Sequence, residues 1–98
     1  MLFHRGRRSG REYRTPVKVF RHRGDYVITL PYGSRADWVA NVLAAGGCDL
    51  VVRGQRVQLV KPTLFEDDGT VYIPKLVRMV LSRMKVTEFI ALTPDQRG

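Results

Sequence analysis

The chain of 98 residues has one cysteine, two histidines and few acidic residues, nine against 17 lysines and arginines. Because Cys48 stands alone, no intrachain disulfide can form, and we expect a protein of the reducing cytoplasm. The cysteine and the histidines lie far apart and lack metal-ligand spacing, so no metal site is expected. No apolar run approaches the roughly 18 residues of a membrane span, and we expect no signal peptide.

Motifs of common enzymes are missing as well. The sequence contains no Ser/His/Asp arrangement, no carboxylate pair and no G-x-x-x-x-G-K-[ST] phosphate-binding loop, which disfavours a conventional hydrolase or kinase. The hydrophobic fraction of 44% is that of an ordinary globular protein. A chain of this length builds one modest core, so we expect a single domain over residues 1–98.

Positive charge is abundant, and most of it lies at one end. Residues 1–24 hold eight of the 17 lysines and arginines and one acid, so they carry nearly all of the net charge of +8. This distribution predicts an anionic partner. The charge is densest in the turn Gly6-Arg7-Arg8-Ser9-Gly10, where backbone N–H groups, a hydroxyl and guanidinium groups could hold a phosphate or carboxylate. A solvated basic tail explains the charge equally well.

Alternation of apolar and polar residues predicts five strands. They form two hairpins and a closing strand: Thr15–Phe20 with Tyr26–Leu30, Cys48–Val52 with Arg56–Lys61, and Thr87–Leu92. We expect Pro62 to end the fourth strand and Glu66-Asp67-Asp68-Gly69 to form a turn.

Consecutive hairpins favour a small antiparallel barrel. Only Leu2–His4 remain for a strand before the basic turn, so we expect the first strand to be truncated.

Two helices are predicted to flank the barrel. The first spans about Ala36–Ala45, with Ser34 as its N-cap and Gly46-Gly47 at its end. The second follows Pro74 and covers Lys75–Met84, where apolar residues recur at helical spacing. The predicted fold is therefore mainly β with flanking helices.

A second group of candidate site residues surrounds the start of the first helix. Tyr32-Gly33-Ser34 leads into a helix N-terminus, which favours an anion or a polar ring edge. Asp37 and Asn41 lie one turn apart and present hydrogen-bonding groups in the same direction. A core position is the simpler explanation for Trp38. The simpler explanation for Lys18 is a solvent-facing position on a strand. The functional alternative is that Lys18 supplies a cation that lines a ligand cleft.

Five segments, in order along the chain, carry a resemblance to a known family: Gly6-Arg7-Arg8-Ser9-Gly10, Tyr13-Arg14-Thr15-Pro16-Val17, Tyr32-Gly33, the helix from Ala36-Asp37-Trp38-Val39-x-Asn41 to Cys48, and Val86-Thr87-Glu88-Phe89. Together they resemble the deazaflavin-dependent nitroreductases of the flavin-binding split β-barrel group. The resemblance implies a split barrel that binds coenzyme F-420, an 8-hydroxy-5-deazaflavin with a phosphodiester and a polyglutamate tail. FMN is the second choice.

The resemblance also implies roles for particular residues. The phosphate and tail would face Arg7, Arg8, Ser9 and Arg14. The deazaflavin ring would lie near Tyr32, Gly33, Trp38 and Asn41, with Lys18 lining the ring or substrate cleft. The implied reaction is hydride transfer to a small-molecule electron acceptor such as a quinone, an enone or a nitro compound. Because a hydride-carrying cofactor performs the difficult step, the protein need supply only orientation and a proton donor, for which Tyr32 is the candidate.

The sequence departs from this family in three places. An N-terminal helix and a complete first strand are mostly absent, Glu12 replaces a common proline, and Lys18 replaces a smaller polar residue. Glu12 would place an acid inside the expected anion site. A short first strand would leave an open barrel edge. Two explanations stay open: a partner subunit covers that edge, which would make a homodimer, or the true start lies upstream.

Two other functions stay open from the residues. A small basic barrel could bind single-stranded nucleic acid, with bases stacked on Tyr13, Phe20, Tyr26 or Tyr32. The arginines cluster in one turn instead of following an aromatic strand face, so no nucleic-acid partner is expected. The other alternative is a non-catalytic flavin or haem binder, although neither histidine is well placed as a haem ligand.

Overall fold

The computed structural model describes residues 1–66 and 88–95. Within these ranges lie seven strands and one helix: β1 (Leu2–Arg5), β2 (Glu12–Thr15), β3 (Val19–His22), β4 (Asp25–Thr29), α1 (Asp37–Ala45), β5 (Gly47–Val52), β6 (Gln55–Glu66) and β7 (Glu88–Pro94). The strands form a single antiparallel sheet in the order β2-β1-β5-β6-β7-β4-β3. The predicted helix at Lys75–Met84 and the predicted turn residues Asp67–Gly69 lie outside the described residues.

The sheet is curled into a half-barrel, and the chain connection between its edges shows why. β2 and β3 are the two edge strands, yet only residues 16–18 separate them. Four Cα steps span at most about 15 Å, whereas seven strands laid flat would be about 29 Å wide. The edges must therefore approach each other, which confirms the predicted split β-barrel.

The prediction of one strand over Thr15–Phe20 is wrong. The chain leaves β2 at Thr15 and enters β3 at Val19, on the other edge of the sheet. Pro16 lacks a backbone N–H and cannot donate to a strand ladder. The backbone rejoins the barrel where the Thr29 N–H donates to the Lys18 carbonyl at 3.1 Å.

The first strand is short, as expected, but it is not an open edge. All four residues of β1 pair with β2, and Leu2 and Phe3 also pair with β5. The open edges of the described sheet are β2 and β3. β1 is therefore held from both sides, and it anchors the start of the basic turn.

Pro62 does not end its strand. β6 runs from Gln55 to Glu66 and pairs with β7 on both sides of a register shift between Val60 and Thr63. Lys61 has a left-handed backbone with φ of 57° at this point. The bulge removes Pro62 from the ladder, so its missing N–H breaks no strand hydrogen bond.

Helix α1 begins without the predicted serine cap. Ala36 occupies the N-cap position with no side-chain hydrogen bond, and the Ser34 N–H instead donates to Glu88 Oε2 at 3.1 Å. The predicted C-terminal end is confirmed. Gly46 adopts a left-handed φ of 76° and donates its N–H to the Val42 carbonyl.

The main core lies between α1 and the concave face of the sheet. Val39 and Val42 from the helix are fully buried against strand residues that include Leu2, Leu50 and Leu59. Trp38 packs at the margin of this core and is half-buried. The core thereby fixes the helix that carries Trp38 and Asn41 next to β1 and β5.

Gly47→Ala tests how closely β5 and β6 approach. A Cβ at Gly47 would collide with the backbone carbonyl of Leu59, so we expect a loss of about 2–3 kcal/mol in the free energy of unfolding. Gly54→Ala, in the turn of the same hairpin, meets nothing within 4 Å and carries only its left-handed φ of 78°. It should cost about 1 kcal/mol. Urea denaturation measures both, and equal losses would contradict the close approach.

Candidate functional site

The basic turn between β1 and β2 forms one wall of an open cleft, and the first two turns of α1 form the other. The cleft has a volume of about 670 Å³. Six of the predicted site residues line it: Arg7, Arg8, Ser9, Arg14, Trp38 and Asn41. The structure therefore brings the two sequence-distant groups of candidates, the basic turn and the helix start, to one place.

The turn holds its shape through its own hydrogen bonds. Gly6 N donates to the Arg11 carbonyl at 2.8 Å, and Gly10 N donates to the Gly6 carbonyl at 2.9 Å. Ser9 Oγ accepts the Arg11 N–H at 3.2 Å. A Cβ at Gly6 would lie 2.7 Å from Ser9 Oγ and 2.9 Å from the Tyr13 ring, so a larger residue there would displace these two side chains.

The arginines of the cleft differ in whether they are bound to other residues of the chain. Arg7 donates to Asn41 Oδ1 from its backbone N at 3.1 Å and from Nη1 at 2.8 Å. It also lies 3.8 Å from the exposed carboxylate of Asp37. The side chains of Arg8 and Arg14 are exposed and form no hydrogen bond or ion pair within the described residues. Arg7 is thus part of the scaffold, and Arg8 and Arg14 are cations available to an anion.

A buried polar network that no sequence motif indicates lies beneath the turn. Asn41 and His4 are each only 6% exposed. Asn41 Nδ2 lies 3.1 Å from His4 Nδ1, and His4 Nε2 lies 3.0 Å from Thr15 Oγ1. The His4 ring stacks on Tyr13 with centroids 5.8 Å apart. These partners are separated by 9 to 37 positions in sequence, so local pattern cannot reveal them.

The donors in this network determine the protonation of His4. Both Arg7 groups are donors, so Asn41 must present its oxygen to them and its NH₂ group to the histidine. His4 Nδ1 is therefore an acceptor, and the proton resides on Nε2, which donates to Thr15. Burial lowers the pKa of His4 from its usual 6.5, which favours this neutral form.

Glu12 does not enter the basic cleft, contrary to expectation. Its carboxylate accepts from Arg56 Nη2 at 3.2 Å, and Arg56 Nε also donates to Asp49 at 2.7 Å. The acid is thereby directed to a separate cleft beside β5. Burial, and then the charge of Asp49, raise the pKa of the nearby Cys48 thiol to about 12. The thiol stays protonated at neutral pH and is a poor nucleophile.

A second, largely apolar cleft of about 450 Å³ adjoins the first. Lys18, Tyr32 and Trp38 line it, together with Thr15, Pro16 and Val17 among others. Thr15 and Trp38 belong to both clefts. The two clefts therefore meet along one border, with positive charge on one side and apolar surface on the other.

The loop that carries Tyr32 stands at the rim of the apolar cleft. The Tyr32 side chain is 91% exposed. Gly33 lines neither of the two clefts but turns the loop with a φ of 83° and an N–H donated to the Leu30 carbonyl. Glu88 fixes the loop from β7, because its carbonyl accepts the Leu30 N–H and its carboxylate accepts the Ser34 N–H.

Over residues 1–66 and 88–95, no three His, Cys, Asp or Glu side chains gather as a metal site requires. In the same part of the chain, no helix has the length and apolarity needed to cross a membrane.

His4→Gln tests the buried neutral histidine. Folding lowers the pKa of His4 below 6.5, so the folded state binds fewer protons than the unfolded chain in that window. The stability that depends on neutral His4 is complete above about pH 6.5 and is lost as the pH falls toward the lowered value. Between pH 7.5 and 5 the melting temperature of the wild type should fall further than that of His4→Gln. Parallel curves for the two proteins would contradict a buried neutral His4.

Comparison with known proteins identifies the family. The family model described as F420H(2)-dependent quinone reductase matches residues 1–89. Among curated proteins, no relative matches the chain. The matched region includes the basic turn, α1 and the described residues of both clefts. The chain belongs to the F420H(2)-dependent quinone reductase family and is a deazaflavin-dependent oxidoreductase that uses coenzyme F-420.

Proposed function

We propose that the chain catalyses hydride transfer from reduced coenzyme F-420 to an electrophilic small molecule: a quinone, an enone or a nitro compound. The coenzyme lies across the two clefts. The basic cleft, with Arg8 and Arg14, would hold its phosphodiester and polyglutamate tail, and the apolar cleft, which Trp38 and Lys18 line, would hold its ring. FMN, which lacks the polyglutamate tail, makes less use of the basic cleft.

The observation that carries this proposal is the shared border of the two clefts at Thr15 and Trp38. A ligand that is polyanionic at one end and aromatic at the other matches this pair of surfaces. Neither surface alone is selective, because a basic patch binds many anions and an apolar cleft binds many rings. Their contact along one border is what favours a single molecule with both properties.

The unpaired arginines of the basic cleft support the proposal that the anionic end of the coenzyme binds there. Arg8 and Arg14 have no anionic partner within the described chain, so binding a phosphate or carboxylate breaks no existing ion pair. Charge-assisted hydrogen bonds to such groups are about twice as strong as neutral ones. Arg7 is held by Asn41 and keeps the turn in place while its neighbours bind.

When bound, the reduced coenzyme would supply the hydride. The chain would position the coenzyme and the acceptor, exclude water from the site and donate a proton. The apolar walls of the second cleft exclude water from one side of the ring position. Lys18 places a positive charge at this cleft, where it favours an acceptor that gains negative charge as it is reduced. Tyr32, at the rim, donates the proton that completes reduction of the acceptor.

Two further expectations from the sequence belong to the proposal. The single thiol favours a cytoplasmic location. A homodimer would cover an open sheet edge, which the structure places at β2 and β3.

Arg8→Ala and Arg14→Ala test the basic cleft. Each should weaken binding of oxidised F-420 about tenfold or more, because each removes a charge-assisted hydrogen bond of about 1.5 kcal/mol or more. Arg53→Asn removes the same charge from a hairpin turn outside the clefts, where asparagine tolerates the φ of 51°. It should leave affinity unchanged. Fluorescence titration measures all four proteins; equal affinities would contradict the proposed phosphate contacts.

The same titration, run with a short single-stranded oligonucleotide, separates the nucleic-acid alternative. Two of the proposed stacking platforms are unsuited to that role: Tyr26 is buried beneath Arg21, and Phe20 packs edge-on against Phe89. We therefore expect coenzyme binding without tight oligonucleotide binding. Steeply salt-dependent oligonucleotide binding without coenzyme binding would reverse the assignment.

Tyr32→Phe tests the proton donor. Loss of a general acid should lower kcat for reduction of a water-soluble quinone about 100-fold, while the Kd for the coenzyme stays unchanged. Tyr26→Phe, a buried tyrosine outside both clefts, should keep full kcat. An unchanged kcat in Tyr32→Phe would remove Tyr32 from the mechanism and leave the binding site intact.

A further inference from the structure

We propose that the Thr15 hydroxyl donates a hydrogen bond to the coenzyme where the two clefts meet, and that His4 is the positioning residue that directs it. The acceptor is an oxygen of the coenzyme segment that connects the ring to the phosphodiester. This inference rests on the proposed function, because it concerns how the same ligand crosses the border between the clefts.

In the hydrogen bonds beneath the basic turn, the donor and the acceptor of each bond are fixed by the bond before it, starting from Arg7. Arg7 offers two donors to Asn41 Oδ1, at 3.1 and 2.8 Å. An amide whose oxygen is engaged in this way has only donors left. Asn41 Nδ2 therefore donates to His4 Nδ1, and the amide cannot flip without placing NH₂ against two N–H donors. The turn thereby dictates which His4 nitrogen is an acceptor.

The same assignment of donors and acceptors extends from His4 to Thr15, at the border of the clefts. With Nδ1 as acceptor, neutral His4 carries its proton on Nε2 and donates to Thr15 Oγ1 at 3.0 Å. The Thr15 oxygen is then an acceptor in this bond, and its own proton remains to be donated. No other side-chain hydrogen bond of Thr15 occurs within residues 1–66 and 88–95. Thr15 lines both clefts, so the unused donor lies where a ligand would cross.

The surroundings of His4 keep this arrangement in place. Its ring is buried and is stacked on Tyr13 of the neighbouring strand. His4 borders two clefts that ionisable groups also line: Arg7, Arg8, Tyr13, Arg14 and Asp37 in the basic cleft, and Arg5, Glu12, Cys48, Asp49, Arg56 and Asp95 in the other. Glu12 and Asp49 are paired with Arg56. Neither carboxylate has a hydrogen bond to the ring that would favour its protonation.

Protonation of His4 would break the chain of hydrogen bonds. An Nδ1–H would face the donor NH₂ group of Asn41, and the amide could accommodate it only by losing its bonds to Arg7. The basic turn and the Thr15 hydroxyl are thus coupled through one imidazole. Coenzyme affinity should therefore depend on the neutral form of His4.

Substitutions at Thr15 test the donor directly. Thr15→Val removes the hydroxyl at nearly constant volume and should weaken binding of oxidised F-420 about three- to tenfold, the effect of one hydrogen bond. Thr15→Ser retains the hydroxyl and should bind within about twofold of the wild type. Thr63→Val, an exposed strand threonine outside both clefts, is the matched control. Circular dichroism confirms that each variant is folded.

The outcomes separate this inference from the proposed function. Wild-type affinity in Thr15→Val would overturn the hydroxyl contact while leaving the coenzyme site in place. Equal losses in Thr15→Val and Thr15→Ser would overturn it too, because the hydroxyl would then not be what matters. Failure of the wild type to bind the coenzyme would overturn the proposed function itself.

A pH titration of affinity tests the role of His4. The glutamine of His4→Gln can still donate to Thr15 but does not titrate. The ratio of wild-type to His4→Gln Kd should be constant above about pH 7 and rise as the pH falls below 6.5, reaching about three- to tenfold once His4 is protonated, the effect of one hydrogen bond. Titration of the coenzyme is common to both proteins and cancels in this ratio. A ratio independent of pH would show that His4 only fills space.

Discussion

The side-chain amide of Asn41 joins three parts of the molecule that are distant in sequence. Its oxygen holds the basic turn through two donors of Arg7, and its nitrogen holds the first strand through His4. The amide is buried, where an unsatisfied polar group costs about 1–3 kcal/mol. Each partner is therefore needed by the others, and the turn is held in one orientation against α1 before any ligand arrives.

This fixed turn matters because of where the curled sheet places it. The short connection between β2 and β3 brings the two edges of the sheet together, and the residues of that connection form a wall of the apolar cleft. Thr15 ends one edge strand, and Trp38 lies in the first turn of the helix beside it. The same closure that makes the half-barrel therefore makes the border between the basic and the apolar surface.

The features that could be predicted from the sequence are those that depend on neighbouring residues. The hairpin turns, the glycine end of α1 and the basic turn each follow from a few adjacent residues, and the family resemblance followed from their order. The wrong predictions concern features that depend on residues distant in the sequence. The alternation over Thr15–Phe20 did not reveal that the chain crosses between the sheet edges at residues 16–18. Pro62 gave the wrong strand end because a bulge accommodates it, and Ser34 gave the wrong cap because Glu88 accepts its N–H. His4 gave no signal at all, since its partners, Asn41 and Thr15, come from other elements.

A crystal structure of the complex with oxidised coenzyme F-420 tests the proposed site most directly. We expect density for one coenzyme across both clefts, with the phosphodiester within hydrogen-bond distance of Arg8 or Arg14 and the ring beside Trp38. The connecting segment should lie against Thr15. Density for the ring in the basic cleft, or for the whole coenzyme at the separate cleft beside Arg56, would contradict it.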